Sequence, residues 1–132
     1  MKHYLCLAFL ILFALAGCKE EQPVDEGKLA AHAAKTYYDY LLHGKEESFF
    51  EGMDMPKKLP ANYKAQMILG LKSLKERWKN EDKKLTDCSI LRNEFREKDS
   101  MAVVFLNLHF SDKTSEQIVV SMIKKKGLWY MR

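Results

Sequence analysis

The sequence predicts an α+β domain, with helices first and an antiparallel sheet second. Three features point there. Apolar residues recur every three or four positions as far as Trp78, and every second position from Leu85 onward. Two polar runs, Glu97-Lys98-Asp99-Ser100 and Ser111-Asp112-Lys113-Thr114, cut the second half into strand-length segments. Lys126-Gly127 then supplies a two-residue hairpin signal. Strands joined by such short turns pair as an antiparallel meander, not as alternating α/β units.

The first helix is expected over Lys28 to His43, where Leu29, Ala33, Tyr37 and Tyr40-Leu41 form an apolar stripe widened by Ala30, Ala34 and Tyr38. Gly44 sits where a helix ends in the left-handed conformation. A short second helix, Glu46 to Glu51, turns Phe49 and Phe50 inward, and Met53-Asp54-Met55-Pro56 stops it. The third starts near Pro60 and carries Tyr63, Met67, Leu71, Leu74 and Trp78 on one side, with Lys64, Lys72, Lys75, Glu76 and Lys79 mostly off it. Gly70 within it weakens it by about 1 kcal/mol relative to alanine, unless it serves close approach to the sheet.

Strands follow at Leu85 to Arg96, Met101 to Phe110, Glu116 to Lys124 and Leu128 to Met131. In the second, Ala102, Val104, Leu106, Leu108 and Phe110 share one face, while Met101, Val103, Phe105, Asn107 and His109 share the other. In the third, Ile118, Val120 and Met122 alternate against Gln117, Val119 and Ser121.

The N-terminal residues are read separately. Lys2 is followed by twelve residues, Leu5 to Ala16, without a charge. As helix they span about 18 Å against a hydrocarbon core of about 30 Å, which suits a secretory signal and not a permanent span. Leu15-Ala16-Gly17-Cys18 at its end resembles the lipobox of bacterial lipoproteins. That resemblance implies diacylglyceryl modification of the Cys18 sulfur, cleavage between Gly17 and Cys18, and acylation of the new amino group. Small residues at 16 and 17 let the peptidase reach the bond. Two or three acyl chains exceed what stable anchoring needs.

The expected organisation is therefore a signal peptide over 1–17, a lipidated cysteine and polar tether over 18–27, and one domain over 28–132. The expected partner is membrane lipid through Cys18, and the expected location is the cell envelope. Lys19-Glu20-Glu21 resembles the acidic export signals that send some Gram-negative lipoproteins to the cell surface and reads equally as a plain hydrophilic spacer, so the outer membrane is expected and the leaflet stays open.

Composition limits the alternatives. The 132 residues are 47% hydrophobic and 30% charged, a globular balance that fits one domain. Without Lys2 the mature side chains hold 21 Lys and Arg against 18 Asp and Glu, or +3. The lysine clusters at 57–58, 83–84 and 124–126 fall near turns, without the concentrated basic face a nucleic-acid groove requires. They leave room for a mild attraction to anionic lipid heads. Cys6 belongs to the signal and Cys18 to the anchor, so Cys88 has no internal disulfide partner and reads as a buried, inert thiol. Neither paired metal ligands, a phosphate loop nor a nucleophile elbow is present, and no cofactor is expected.

The segment Tyr37 to Gly44, Phe49-Phe50, Tyr63 with Gln66, and Lys126-Gly127-Leu128-Trp129-Tyr130 after a valine-rich strand pair resemble the nuclear-transport-factor-2-like superfamily. More narrowly, they resemble small bacterial lipoproteins carrying a lumazine-binding-like, cystatin-like domain of unknown function. The resemblance covers residues 28–132 and implies a cone of helices packed into a curved sheet, with a pocket at its open end. Candidate pocket residues are Tyr37, Tyr40, Tyr63, Phe105, His109 and Trp129. Trp129 and Tyr130 read first as closure of the core and second as a stacking surface for a flat ligand.

Enzymatic members of the superfamily place an Asp/His or Tyr/Asp pair in that pocket. Here no acidic residue lies in the interior of the second or third strand, and a distant helix carboxylate such as Asp39 would have to partner His109. The leading expectation is thus a non-enzymatic envelope lipoprotein that binds a small apolar or aromatic ligand or an envelope protein. The alternatives are an isomerase- or dehydratase-like enzyme using His109, and a structural subunit that dimerises through its sheet.

Overall fold

A computed structural model describes residues 24–56 and 58–132. The signal segment, the Leu15-Ala16-Gly17-Cys18 motif and most of the tether lie outside the described residues. Within them the chain forms helices α1 (Glu26–Leu42), α2 (Glu46–Glu51) and α3 (Tyr63–Asn80), then strands β1 (Leu85–Arg96), β2 (Met101–Phe110), β3 (Ser115–Lys125) and β4 (Leu128–Met131). A single 3-10 turn, Glu97–Asp99, joins β1 to β2. The sheet is antiparallel throughout, in the order β1-β2-β3-β4, and the helices cover one of its faces. The α+β architecture expected from the change of period is the one observed.

Helix α1 begins two residues before the expected start. Asp25 caps it by accepting from the Lys28 N–H at 3.1 Å. Glu26, assigned from the sequence to the tether, lies in its first turn, and its carboxylate meets Lys124 Nζ at 2.8 Å and accepts from Trp129 Nε1 at 3.3 Å. The start of the domain is therefore fastened to the β3–β4 hairpin. At the other end Gly44 takes φ +77°, the left-handed conformation that Cβ-bearing residues avoid.

The stripe α1 buries is rotated from the one expected. Leu29 is 46% exposed, whereas Gly27, Ala30, Ala31, Ala34 and Leu41 are buried. Size explains the rotation: with only methyl groups between them, the helix and the sheet approach closely, and a leucine at the contact would hold them apart. Toward the helices the sheet presents Cys88 from β1, Ala102, Val104, Leu106, Leu108 and Phe110 from β2, and Val120 and Met122 from β3, all buried. Cross-strand pairing sets Val104 opposite Val120 and Leu106 opposite Ile118, so the inner face is continuous.

Helix α3 presents the expected stripe but buries none of it completely. Met67, Leu71, Leu74 and Trp78 are half-buried along one side. The Trp78 ring meets Phe110 edge-on at 5.3 Å between centroids. Gly70 is exposed and has open space where a Cβ would stand, so it serves no close approach to the sheet.

Residues after α2 close the far side. The Met131 N–H donates to the Gly52 carbonyl at 2.7 Å, the Asp54 N–H donates to the Met131 carbonyl at 2.6 Å, and the Tyr37 hydroxyl donates to the Trp129 carbonyl at 2.6 Å. Among the described residues no helix is long and apolar enough to cross a membrane.

Two glycines with opposite surroundings test this packing. Gly70→Ala raises stability by about 0.5–1 kcal/mol in urea denaturation, since it adds helix propensity in free space. Gly52→Ala lowers it by about 1–3 kcal/mol. Its Cβ overlaps the Tyr37 ring, which the hydroxyl bond to Trp129 holds in place.

Candidate functional site

Because α1 lies close to the sheet and α3 does not, a cleft of about 230 Å³ remains beneath α3. Its walls follow from the periodicities. Tyr38 and Leu41 come from adjacent turns of α1, Leu71, Leu74 and Trp78 from the inner side of α3, and Leu108 and Ile118 from the inner face of the sheet. Phe49 of α2 completes the floor, its ring edge-on to Tyr38 at 5.1 Å. One carboxylate, Glu116, stands at the exposed rim opposite Leu108. Burial raises the Tyr38 phenol above its ordinary pKa, so it stays neutral and able to donate across the physiological range.

An ionic latch fixes α3 over this cleft. Lys75 Nζ donates to the Leu41 carbonyl at the end of α1 at 2.7 Å and meets Glu46 Oε1 at 3.2 Å. Glu46 is buried. Burial pushes its carboxyl up, but its own backbone N–H and the hydrogen bond and charge of Lys75, with Lys72 beyond, more than offset this. The carboxyl ends below its ordinary value of 4.5. Both partners are mostly covered, so removing one leaves the other charge poorly solvated.

Beside the cleft, past Tyr38 and Phe49, a second and wider groove of about 400 Å³ opens along β3. Met53, Met55, Val120 and Met131 form its apolar lining.

The six residues proposed from the sequence fall elsewhere. None of them lines either hollow. Phe105 and His109 stand on the outer face of β2, where strict alternation puts them once Leu106 and Leu108 face the helices. Arg92 covers the Phe105 ring at 3.7 Å. His109 Nε2 hydrogen-bonds with Ser89 Oγ at 2.9 Å, and Asp39, its candidate partner, is paired with Lys35 at 2.7 Å on α1. Tyr37 and Trp129 are spent on core closure, Trp129 meeting Phe95 edge-on at 6.1 Å. Tyr40 lies beneath the Lys45 ammonium at 6.0 Å, and Tyr63 is half-buried at the start of α3.

Cys88 is buried. Loss of solvation and the nearby Asp39 charge push its thiol up to about 11, so it is held protonated at neutral pH. Among the described residues no three His, Cys, Asp or Glu side chains are grouped to hold a metal ion.

The residues that line the cleft were present in the sequence as core positions. Tyr38, Leu41, Phe49, Leu71, Leu74 and Trp78 all carry helical apolar spacing, and nothing in a spacing separates a residue that meets a neighbour from one that meets a void.

Two solved structures share the arrangement. One, from Campylobacter jejuni and provisionally designated an NTF2-like transpeptidase, matches with a TM-score of 0.55 at 15% identity, over 74% of this chain and 92% of its own. Another, a SEC-C-motif-containing protein from Rhodopseudomonas palustris, matches with a TM-score of 0.51 at 14% identity, over 75% and 71%. The fold is thus similar to that of a protein described as NTF2-like. At these identities the likeness is one of fold. No family model matches the sequence, and no curated protein matches it either.

The latch yields a signed prediction. Lys75→Met costs about 2 kcal/mol at pH 7, because Glu46 keeps a buried charge without its partner. The folded carboxyl lies below its unfolded value, so its contribution is complete above pH 4.5 and fades as pH falls through the folded pKa. Urea melts of the two proteins should converge as the buffer is acidified below that point.

Proposed function

We propose that this is a lipid-anchored protein of the cell envelope, outer membrane included, whose cleft holds a small and largely apolar ligand. The observation that carries the ligand reading is the lining: eight apolar or aromatic side chains with one carboxylate at the rim. Such a surface favours occupants with little charge, since each buried apolar Å² contributes about 25 cal/mol while a buried polar group needs a partner. The volume lies below the roughly 300 Å³ at which drug-sized pockets begin. The ligand is therefore small, or it reaches past the rim toward Glu116.

Support for the anchor is the Cys18 motif at the end of an uncharged segment too short to span a bilayer. Two or three acyl chains at Cys18, with a tether of a few residues before α1, keep the cleft beside the lipid surface. An apolar ligand leaving a membrane meets the cleft within tens of ångströms.

Both halves are testable separately. Cys18→Ser should abolish palmitate incorporation and leave the chain uncleaved or outside the membrane fraction; labelling that persists overturns the anchor. For the cleft, N-phenyl-1-naphthylamine should bind saturably with a rise in fluorescence. Leu71→Arg or Leu74→Arg should remove that binding with little change in stability, because no α3 side chain is fully buried. Equal binding by the arginine variants overturns the cleft as the site.

A further inference from the structure

β4 covers only part of β3. It pairs with Met122 to Lys125, while β3 extends back to Ser115. Hydrogen-bond parity shows where the remaining backbone points. The Phe110 N–H donates to the Thr114 carbonyl at 3.0 Å and the Lys124 N–H to the Ser100 carbonyl at 2.9 Å, so even-numbered residues of β3 exchange bonds with β2. On the other side, the Arg132 N–H donates to the Ser121 carbonyl at 2.9 Å, so odd-numbered residues face β4. Ser115, Gln117 and Val119 continue that parity past the end of β4. Their N–H and C=O groups are aimed out of the sheet, and among the described residues no element pairs with them.

This open edge lacks the usual protection. The segment from Ser115 to Ser121 holds neither proline nor glycine nor lysine, and β3 pairs with β2 without a bulge. Val119 is 59% exposed. Directly beside the edge lies the 400 Å³ groove, with Met53, Met55 and Met131 as its adaptable lining. Charge is distributed along the edge with one sign at each end: Glu116 stands at its start, and Arg132 stands where β4 stops. Asp54 in the groove is already paired with Lys125 at 2.7 Å.

From these features we infer that the exposed edge of β3 docks an extended peptide segment of a partner protein as a fifth strand, in line with β4 and antiparallel to β3. Independently of what the cleft holds, the edge supplies main-chain bonds from Val119 and Gln117, and the pleat sets the side-chain code. Partner residues opposite Val120 and Ile118 share their inward face and enter the groove, so they are apolar. The residue opposite Glu116 is basic, and the segment begins opposite Val120, because Arg132 already occupies the position opposite Ser121.

The probe is a fluorescein-labelled peptide, Val-Thr-Val-Thr-Lys, titrated into the purified full-length chain. Saturable binding is expected, and amide exchange at Gln117 and Val119 slows on addition while that of Val120, already bonded to β2, does not change. Val119→Pro removes an edge donor that β2 does not use, and should weaken binding by about tenfold, the loss of one buried bond. Should that variant misfold, the same peptide N-methylated on the edge-facing amides tests the point against the unaltered protein and should bind about tenfold less well. The charge-reversed peptide, Val-Thr-Val-Thr-Glu, which sets a carboxylate opposite Glu116, should also bind more weakly. No saturable binding up to millimolar concentration overturns the inference, as does equal binding by the methylated peptide. Concentration-dependent protection of Gln117 and Val119 without peptide overturns it too, because a second copy of the chain then occupies the edge.

Discussion

Ala30 and Ala34 are completely buried where α1 crosses the inner face of the sheet, and the rest of the molecule is arranged around that contact. Methyl groups on the helix let it settle against Ala102, Val104 and Leu106 with little space between. One helix in intimate contact leaves the second long helix no equivalent seat. α3 is held instead at its ends and middle, by Trp78 against Phe110, by the Lys75 latch, and by Lys64 reaching Glu47 at 2.8 Å. The cleft is the difference in height between the two helices above one sheet.

That origin explains which parts of the molecule could be read in the sequence. Alternation through Met101 to Phe110 placed five residues inward and five outward, and every one lies as the pleat requires. Turn residues located the strand ends to within one position. The helical stripe of α1 was less legible. Apolar spacing counts Leu29 and Ala30 alike, but only the tightness of the helix–sheet contact decides that the smaller residue goes inward. Gly70 was ambiguous for the same reason, and its surroundings identify it as a surface position.

The candidate site was the least legible part. Aromatic and titratable residues draw notice in a sequence, which is how Tyr37, His109 and Trp129 became candidates. In the folded chain Tyr37 and Trp129 satisfy each other through a hydroxyl–carbonyl bond, and His109 lies on the wrong side of its strand for the cleft. The cavity is instead bounded by leucines and by residues first read as core, together with Glu116, which was read as the start of the third strand and so outside its interior. A void is a property of how elements are spaced, and spacing is set by many distant residues at once.

The junction at Glu26 has a mechanical meaning. Its carboxylate grips Lys124 and Trp129, which belong to strands at the opposite end of the sequence. A pull applied to the chain ahead of Val24 therefore does not peel the first helix from the sheet one turn at a time. It loads an ionic contact and an indole hydrogen bond together, in shear, across elements joined by the sheet ladder. Force entering through the leading residues is thereby shared with β3 and β4 at the opposite end of the sequence.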